Sequence, residues 1–486
     1  MAKTRALRLL LAASAGAMVA TPALADDLRE ALTSAYNTNP TLQGARATQR
    51  ATDEGVPLAR ARGLPSLSGQ ANYTEFLKKN PVAFTAPDRA VTADVQLGLP
   101  VFSGGSVKNS IRAAKTRVEA GQEDLRATES GVFSQVVAAY MDVIRDAAIV
   151  GLNGNNVEVL EVNLKATSDR FEIGDVTRTD VAQSNSRLAL ARGDLRTAQA
   201  NLVASRERYI QVVGKAPADL QPPPPLPGLP GTPDDAVDFA LENNPDLLAA
   251  RERSKAAGYD VKVADAAKLP TVSLTSSGAY QNFLGTLGGG VPGASFVQRT
   301  TTAQAGVSVS VPLYQGGGPA AQVRQAQARE GATLEQEIGV EREVIASVRS
   351  AYASWQAANE IIAMNQTAVD AAALSLEGVR AENTVGNRTI LNILDAEQEL
   401  LRAQVQLVAA RRNAYVAGFN LLASMGKADA DDLGLDGGAL YDPQVNYDRV
   451  KARLWDWDRD PTPKAVSTRT VDTPAQDATI PPAPRP

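Results

Sequence analysis

Chemistry in this chain must come from carboxylates, amines, guanidinium groups, hydroxyls and amides, because its 486 residues include no Cys and no His. The commonest general base and zinc ligand are missing, and so are thiol nucleophiles, disulfides and a lipid-bearing cysteine. What remains for an enzyme is an Asp/Glu pair, and no such constellation rises above what a helical surface supplies at random. No catalytic activity, metal or cofactor is therefore expected. The net charge of -5 is small and its signs are interspersed, which argues against nucleic acid as a partner. Other work is open to two glycine turns. Ile173, Gly174 and Asp175, and again Val385, Gly386 and Asn387, interrupt long helical patterns, so each set is the end of a helical hairpin. Glycine lets another helical hairpin approach closely there, as a docking partner would.

The elements that must position these turns come in duplicate. Asn37 to Leu42 returns as Glu242 to Leu247, and Leu64 to Ser68 as Leu269 to Ser273, both at a spacing of 205 residues. Pro100-Val101-Phe102-Ser103-Gly104-Gly105 returns as Pro312-Leu313-Tyr314-Gln315-Gly316-Gly317, Tyr140 as Tyr352, and Gly174 as Gly386, all at 212. Two copies that stay in register, with a length change in one loop only, imply two pseudo-equivalent halves of one architecture. The first repeat occupies 26–220 and the second 236–426, joined by a stiff Pro-rich connector at 221–235. An equatorial C-terminal segment follows at 427–459. Residues 460–486, rich in Pro and Thr and without periodicity, are expected to form a disordered tail.

Each half runs from helix to strands to long helices. Leu67, Ala71 and Tyr73 alternate with Ser68, Gln70, Asn72 and Thr74, and Val91 through Val101 continue the alternation. The second half repeats it at Val272, Leu274 and Tyr280 and at Val307, Val309, Val311 and Leu313, so β-hairpins are expected at 66–102 and 271–314. Period two gives one apolar and one polar face. The runs are 10 to 13 residues long, close to the roughly 9 to 11 that a tilted strand needs to cross a bilayer. Alternation alone would equally fit a soluble sandwich. Behind the strands, however, 106–172 is a Pro-free helical pattern, roughly 100 Å long at 1.5 Å per residue. Residues 178–213 return along it, and 320–383 and 389–424 repeat the arrangement. Pro57 interrupts the first short helix, where the second half has Lys262, so a kink is expected in the first half alone.

Helices of this length need partners for their Ala, Val and Leu stripe. Four strands cannot close a barrel either, since known single-chain membrane barrels begin at about eight. The expected fold is an α+β membrane channel-tunnel, a long antiparallel α-helical coiled-coil barrel joined to a transmembrane β-barrel, with four strands per chain and about 12 in a homotrimer. Residues 1–25 read as a secretory signal peptide: Lys3, Arg5 and Arg8, an apolar stretch from Leu9 to Ala20, then Ala23-Leu24-Ala25.

The duplicated Asn-Pro, Leu-Pro and Pro-x-aromatic-x-Gly-Gly elements, the two turns and Leu394-Asp395-Ala396 resemble the TolC family of outer-membrane efflux proteins. The likeness covers about residues 27 to 457, and Tyr441-Asp442-Pro443 with Trp455 is similar to the branch that serves type I protein secretion. The resemblance implies a homotrimer in the cell outer membrane that extends into the periplasm as an exit duct. It would meet outer-membrane lipid and work with a periplasmic adaptor (membrane fusion) protein and an inner-membrane ABC or proton-driven transporter. The same duct would serve small-molecule or multidrug efflux. A purely structural periplasmic coiled coil would leave the four alternating strands unexplained. The family's periplasmic gate ties an Arg past the second turn to an Asp on the first return helix, here Arg388 and Asp180. Two acidic rings stand beside it, and they fall here on Asn392 and Asp395, so one is neutral. A Tyr of the same network falls on Asn383.

Overall fold

The structure, a computed structural model, describes residues 27–78, 86–288, 293, 295–435 and 440–480. The expected signal peptide and residues 481–486 of the tail lie outside them. The first half runs α1 (Leu28–Thr38), α2 (Pro40–Asp53), α3 (Gly55–Ala61), β1 (Ser66–Glu75), β2 (Arg89–Phe102), α4 (Ser106–Glu172) and α5 (Arg178–Val213). The second half repeats this as α6 (Pro233–Asn243), α7 (Pro245–Asp265), β3 (Thr271–Asn282), β4 (Arg299–Ser310), α8 (Gly318–Thr384) and α9 (Ile390–Met425). A short α10 (Pro443–Val450) lies in the closing segment.

The repeated motifs have repeated duties. Asn39 and Asn244 cap α2 and α7 ahead of a Pro at the first helical position, which has no N–H to satisfy. The same two amides donate to Val212 O and Ser424 O, both at 2.9 Å, and so tie each short helix to the end of its half's return helix. Tyr140 and Tyr352 donate their hydroxyls to Gln221 O at 2.6 Å and Gly231 O at 2.8 Å, which pins the Pro-rich connector at both ends.

The four strands form one antiparallel sheet in chain order. Its register sets Tyr73 opposite Val91, Leu99 opposite Leu274, and Leu274 opposite Val307. Ser68, Gln96, Ser277 and Gln304 line up in the same way. The alternation of single strands thus adds up to one apolar and one polar face across the whole sheet. Val95, Val307 and Val309 on the apolar face are 53%, 65% and 61% exposed, so a single chain leaves that face uncovered. The last strand is shorter than expected and stops at Ser310, because Pro312 has no N–H for a ladder. Its counterpart Pro100 stays within β2 at an irregularity in the register with β3.

Pro57 acts as expected. The first-half helix breaks at Glu54, and Pro57 falls in the first turn of α3, where a missing N–H costs little. The second half runs unbroken from Pro245 to Asp265. The closing segment docks at the break, where Asn446 Nδ2 donates to the buried Asp53 carboxylate at 2.6 Å.

The largest apolar core lies where α4 crosses α1, α2, α5 and α9, and it centres on Tyr36, Leu42, Phe133, Tyr140, Tyr209 and Phe419. Arg46 is buried beside it, stacked between the rings of Tyr36 and Tyr441 at 4.2 and 4.9 Å. The tail read as disordered is seated in part, and this corrects the expectation for 460–480. Arg206 of α5 donates to Asp477 O at 2.7 Å and Thr479 O at 2.9 Å, and Ile480 packs on the core. Aperiodic sequence shows no element of its own, but it can still be captured by another.

Burial pushes the Glu129 carboxyl up to about 7, although it accepts the Ala430 N–H at 2.6 Å. Asp432 is pushed up to about 6 by burial and the neighbouring Asp429. Between the unfolded value of 4.5 and about 7 the folded chain holds the Glu129 proton that the unfolded chain has released, so stability falls as pH rises through that window. Glu129→Gln is expected to match the wild type at pH ~4.5 and to gain on the order of 2 kcal/mol at pH ~8. Denaturant midpoints at the two pH values check this, and an equal difference at both would contradict it.

Candidate gate and hairpin tips

Both hairpins end in the same turn. Gly174 and Gly386 each have φ of 81°, and the backbone N–H groups of Asp175 and Asn387 reach back to Arg170 O and Glu382 O at 2.9 and 3.0 Å. This is a Schellman closure, which requires a left-handed residue after the helix. Ile173 and Val385, one residue earlier, are 81% and 70% exposed, so each tip presents an apolar residue beside a bare glycine.

The residues just past the tips are engaged locally. Asp180 caps α5: its carboxylate accepts the Thr177 N–H at 2.8 Å and the Thr177 hydroxyl at 2.7 Å, and these bonds hold it below the usual carboxylate range. Asn392, its counterpart 212 residues on, does the same for Thr389 with its amide oxygen, at 3.1 and 2.9 Å. Arg388 donates to Glu382 at 2.5 Å across its own turn, and Asn383 Nδ2 donates to Arg388 O at 2.7 Å. The Arg388 to Asp180 bond implied by the resemblance is therefore replaced in this chain. Pairing within one turn closes the shortest loop and costs the least chain entropy.

Ties between the two hairpins sit two to three turns further up. Arg187 on α5 pairs with Asp395 on α9 at 2.6 Å and donates to Gln398 as well. Glu397 on α9 is buried, accepts from Asn163 of α4 at 3.1 and 3.3 Å, and pairs with Arg380 of α8 at 3.0 Å. One carboxylate thus links three helices. The apolar layer of Leu160, Leu188, Ala191 and Leu394 packs beside it. A groove of about 500 Å³ runs between α4 and the α8–α9 hairpin, with Val162, Asn163, Arg380 and Glu397 on its walls. Of the residues expected here, Asp395 alone makes a tie between hairpins. Arg187, Glu397, Asn163 and Arg380 were not singled out from the sequence. A signal was present for Glu397, which follows Ile390 and Leu394 on the apolar stripe of α9, where a carboxylate needs a partner.

An open apolar sheet set on hairpins of roughly 100 Å defines a protomer of an outer-membrane channel-tunnel, with the helices extending into the periplasm. The chain belongs to the outer membrane efflux protein family, whose model matches residues 31–215 and 236–427, one block in each repeat. That family is one of channels rather than enzymes. The outer membrane efflux protein BepC of Brucella suis is 36% identical over 430 residues, covering 88% of this chain and 91% of BepC. The outer membrane protein TolC of Escherichia coli is 27% identical over 434 residues, 86% of each chain. The alkaline protease secretion protein AprF of Pseudomonas aeruginosa is 29% identical over 275 residues, 55% of each. Among solved structures, the Campylobacter jejuni CmeC outer membrane channel superposes with a TM-score of 0.72 at 17% identity, covering 88% of this chain and 90% of CmeC.

Proposed function

We propose that three copies of this chain close into one channel-tunnel that serves as the exit duct for type I protein secretion, fed by an inner-membrane transporter through a periplasmic adaptor. The observation that carries the assembly is the bareness of α8. Only four of its residues are buried, against twenty in the equally long α4. In the chain α7 packs between the two long helices α4 and α8, whereas of that pair α2 and α3 pack on α4 only. By the internal repeat, α2 and α3 should meet the α8 of the next protomer. Such a head-to-tail contact closes a ring if the rotation allows, and three chains supply 12 strands.

The repeat also names the contact. Arg253 of α7 pairs with Asp124 of α4, and the equivalent positions are Thr48 and Gln336. Thr48→Cys with Gln336→Cys, in a chain with no other cysteine, should give covalent trimers with a short bis-maleimide, which spans the gap that an Arg–Asp pair bridges and a disulfide cannot. Monomers alone would refute the ring.

Type I secretion is supported by the Tyr441-Asp442-Pro443 and Trp455 features and by a relative named for protease secretion. Small-molecule efflux is the second reading, favoured by the name and higher identity of BepC. A deletion strain separates them: loss of a secreted protein with unchanged drug susceptibility supports the first, and the converse supports the second.

We assign the gate to the belt of Arg187, Asp395 and Glu397, with Asp180, Asn383, Arg388 and Asn392 shaping the tips below it. The tips themselves, Ile173 to Asp175 and Val385 to Asn387, dock the adaptor. Asp395→Ala should weaken cation preference in single-channel recordings, and Arg187→Ala, which frees the same carboxylate, should strengthen it. Shifts of the same sign in both variants would remove Asp395 from the pore.

A further inference from the structure

The closing segment climbs toward the sheet and turns back, and its apex is apolar. Tyr441 N donates to the Tyr36 hydroxyl in α1 at 2.8 Å, Asn446 bonds Asp53 at the end of α2, and Arg60 in the last turn of α3 donates to Lys451 O at 2.8 Å. Each step lies nearer to β1, which begins at Ser66, six residues past Arg60. The chain then turns, with the Asp458 N–H on Trp455 O at 3.1 Å, and Asp460 accepts from Arg449 at 2.7 Å and Arg453 at 3.0 Å to close the base of the loop. It returns downward past Gly214 to Arg206. At the apex Leu454, Trp455 and Trp457 are 63%, 73% and 77% exposed.

We propose that this apex is a lipid anchor, with the two indoles seated in the periplasmic leaflet of the outer membrane. Arg60 and Ser66 are six residues apart and Lys451 to Trp455 four, so the bond from Arg60 to Lys451 O holds the indoles close to the level at which the sheet begins. That end of the sheet is also apolar and open: Leu67, Val101, Leu313 and Tyr314 are all more than half exposed there. The apex therefore continues the lipid-facing band of the barrel. Indole rings favour the interface between acyl chains and water.

The pattern Trp455-Asp456-Trp457-Asp458 fits such an interface better than a protein contact. Burying Asp456, which has no ion pair among the described residues, against another chain would cost several kcal/mol, whereas at a membrane surface it stays in water. Arg62, two residues past Arg60, and Arg459, two past Trp457, are both exposed and can meet lipid phosphates. The proposal rests on outer-membrane location and not on the cargo.

The chain has three tryptophans, so Trp355→Phe leaves the apex pair as the emitters. Trimers of this variant are reconstituted in phosphatidylethanolamine and phosphatidylglycerol vesicles, with bromine placed either near the headgroup or at the chain ends. The expected result is blue-shifted emission that loses at least about half its intensity to the shallow bromines and little to the deep ones. Water-like emission without bromine quenching overturns the proposal, and so does blue-shifted emission that neither bromine reaches, which would mean a protein cover. Trp455→Ser with Trp457→Ser should leave the trimers intact. Their dissociation would place the indoles between copies and overturn the anchor.

Discussion

Replacing Glu397 with Ala should raise the resting conductance of the reconstituted channel several-fold. The carboxylate is buried and holds Asn163 and Arg380, so truncation strands an amide and a guanidinium that lose their shared acceptor. Each stranded group costs roughly 1 to 3 kcal/mol, toward the low end here because Arg380 is 53% exposed. A loss of about 1.4 kcal/mol per protomer shifts a closed-to-open balance tenfold, and three protomers compound it. Glu397→Gln keeps an acceptor for Asn163 without the charge for Arg380 and should fall between. Arg388→Ser should stay near the wild type, because its partner Glu382 belongs to the same hairpin. Planar-bilayer recordings decide. A silent Glu397→Ala beside a leaky Arg388→Ser would return the gate to the residues that the family resemblance named.

The second large effect is at the tips. Gly174→Trp with Gly386→Trp should cut export at least tenfold while trimers still assemble. The first atom of a side chain meets no obstacle, since nothing lies within 4 Å of a Cβ added at either position. Two separate costs follow. The left-handed backbone at 81° penalises any L side chain by roughly 1 to 2 kcal/mol, and the indole also covers the surface beside Ile173 and Val385. The Ala pair carries the first cost without the second. Export by the Ala pair close to wild type assigns the loss to docking. Equal losses in the Ala and Trp pairs would assign it to the turn and remove the tips as a docking site.

The long helices and strands were legible because each carries its own period over many residues, and the internal repeat located each element twice. Register across the sheet was not legible in any one strand. Only the pairing of β2 with β3, drawn from different halves, shows that the apolar residues share a face. The tip residues were readable as turns because glycine marks a backbone constraint that few other residues meet. The ties above them were not, because Arg187 and Glu397 lie more than 200 residues apart in sequence from the partners Asp395 and Asn163. An exposed arginine on a helix looks the same whether or not a carboxylate faces it. Aperiodic residues 460–480 were misread for the same reason: their order comes from Arg206, Glu207 and the core, and not from themselves.

The docking of the last residues on the first half sets an order of events during biogenesis. Tyr36, Asp53, Glu129 and Arg206 all wait for partners between 430 and 479, so contacts spanning some 270 to 405 residues of sequence complete the equatorial core. Such high contact order makes folding of this core slow. Until residues 428–435 and 440–441 dock, Tyr36 and Phe133 lack part of their cover. Loss of the 430–479 contacts would therefore be expected to leave the first half's core incomplete.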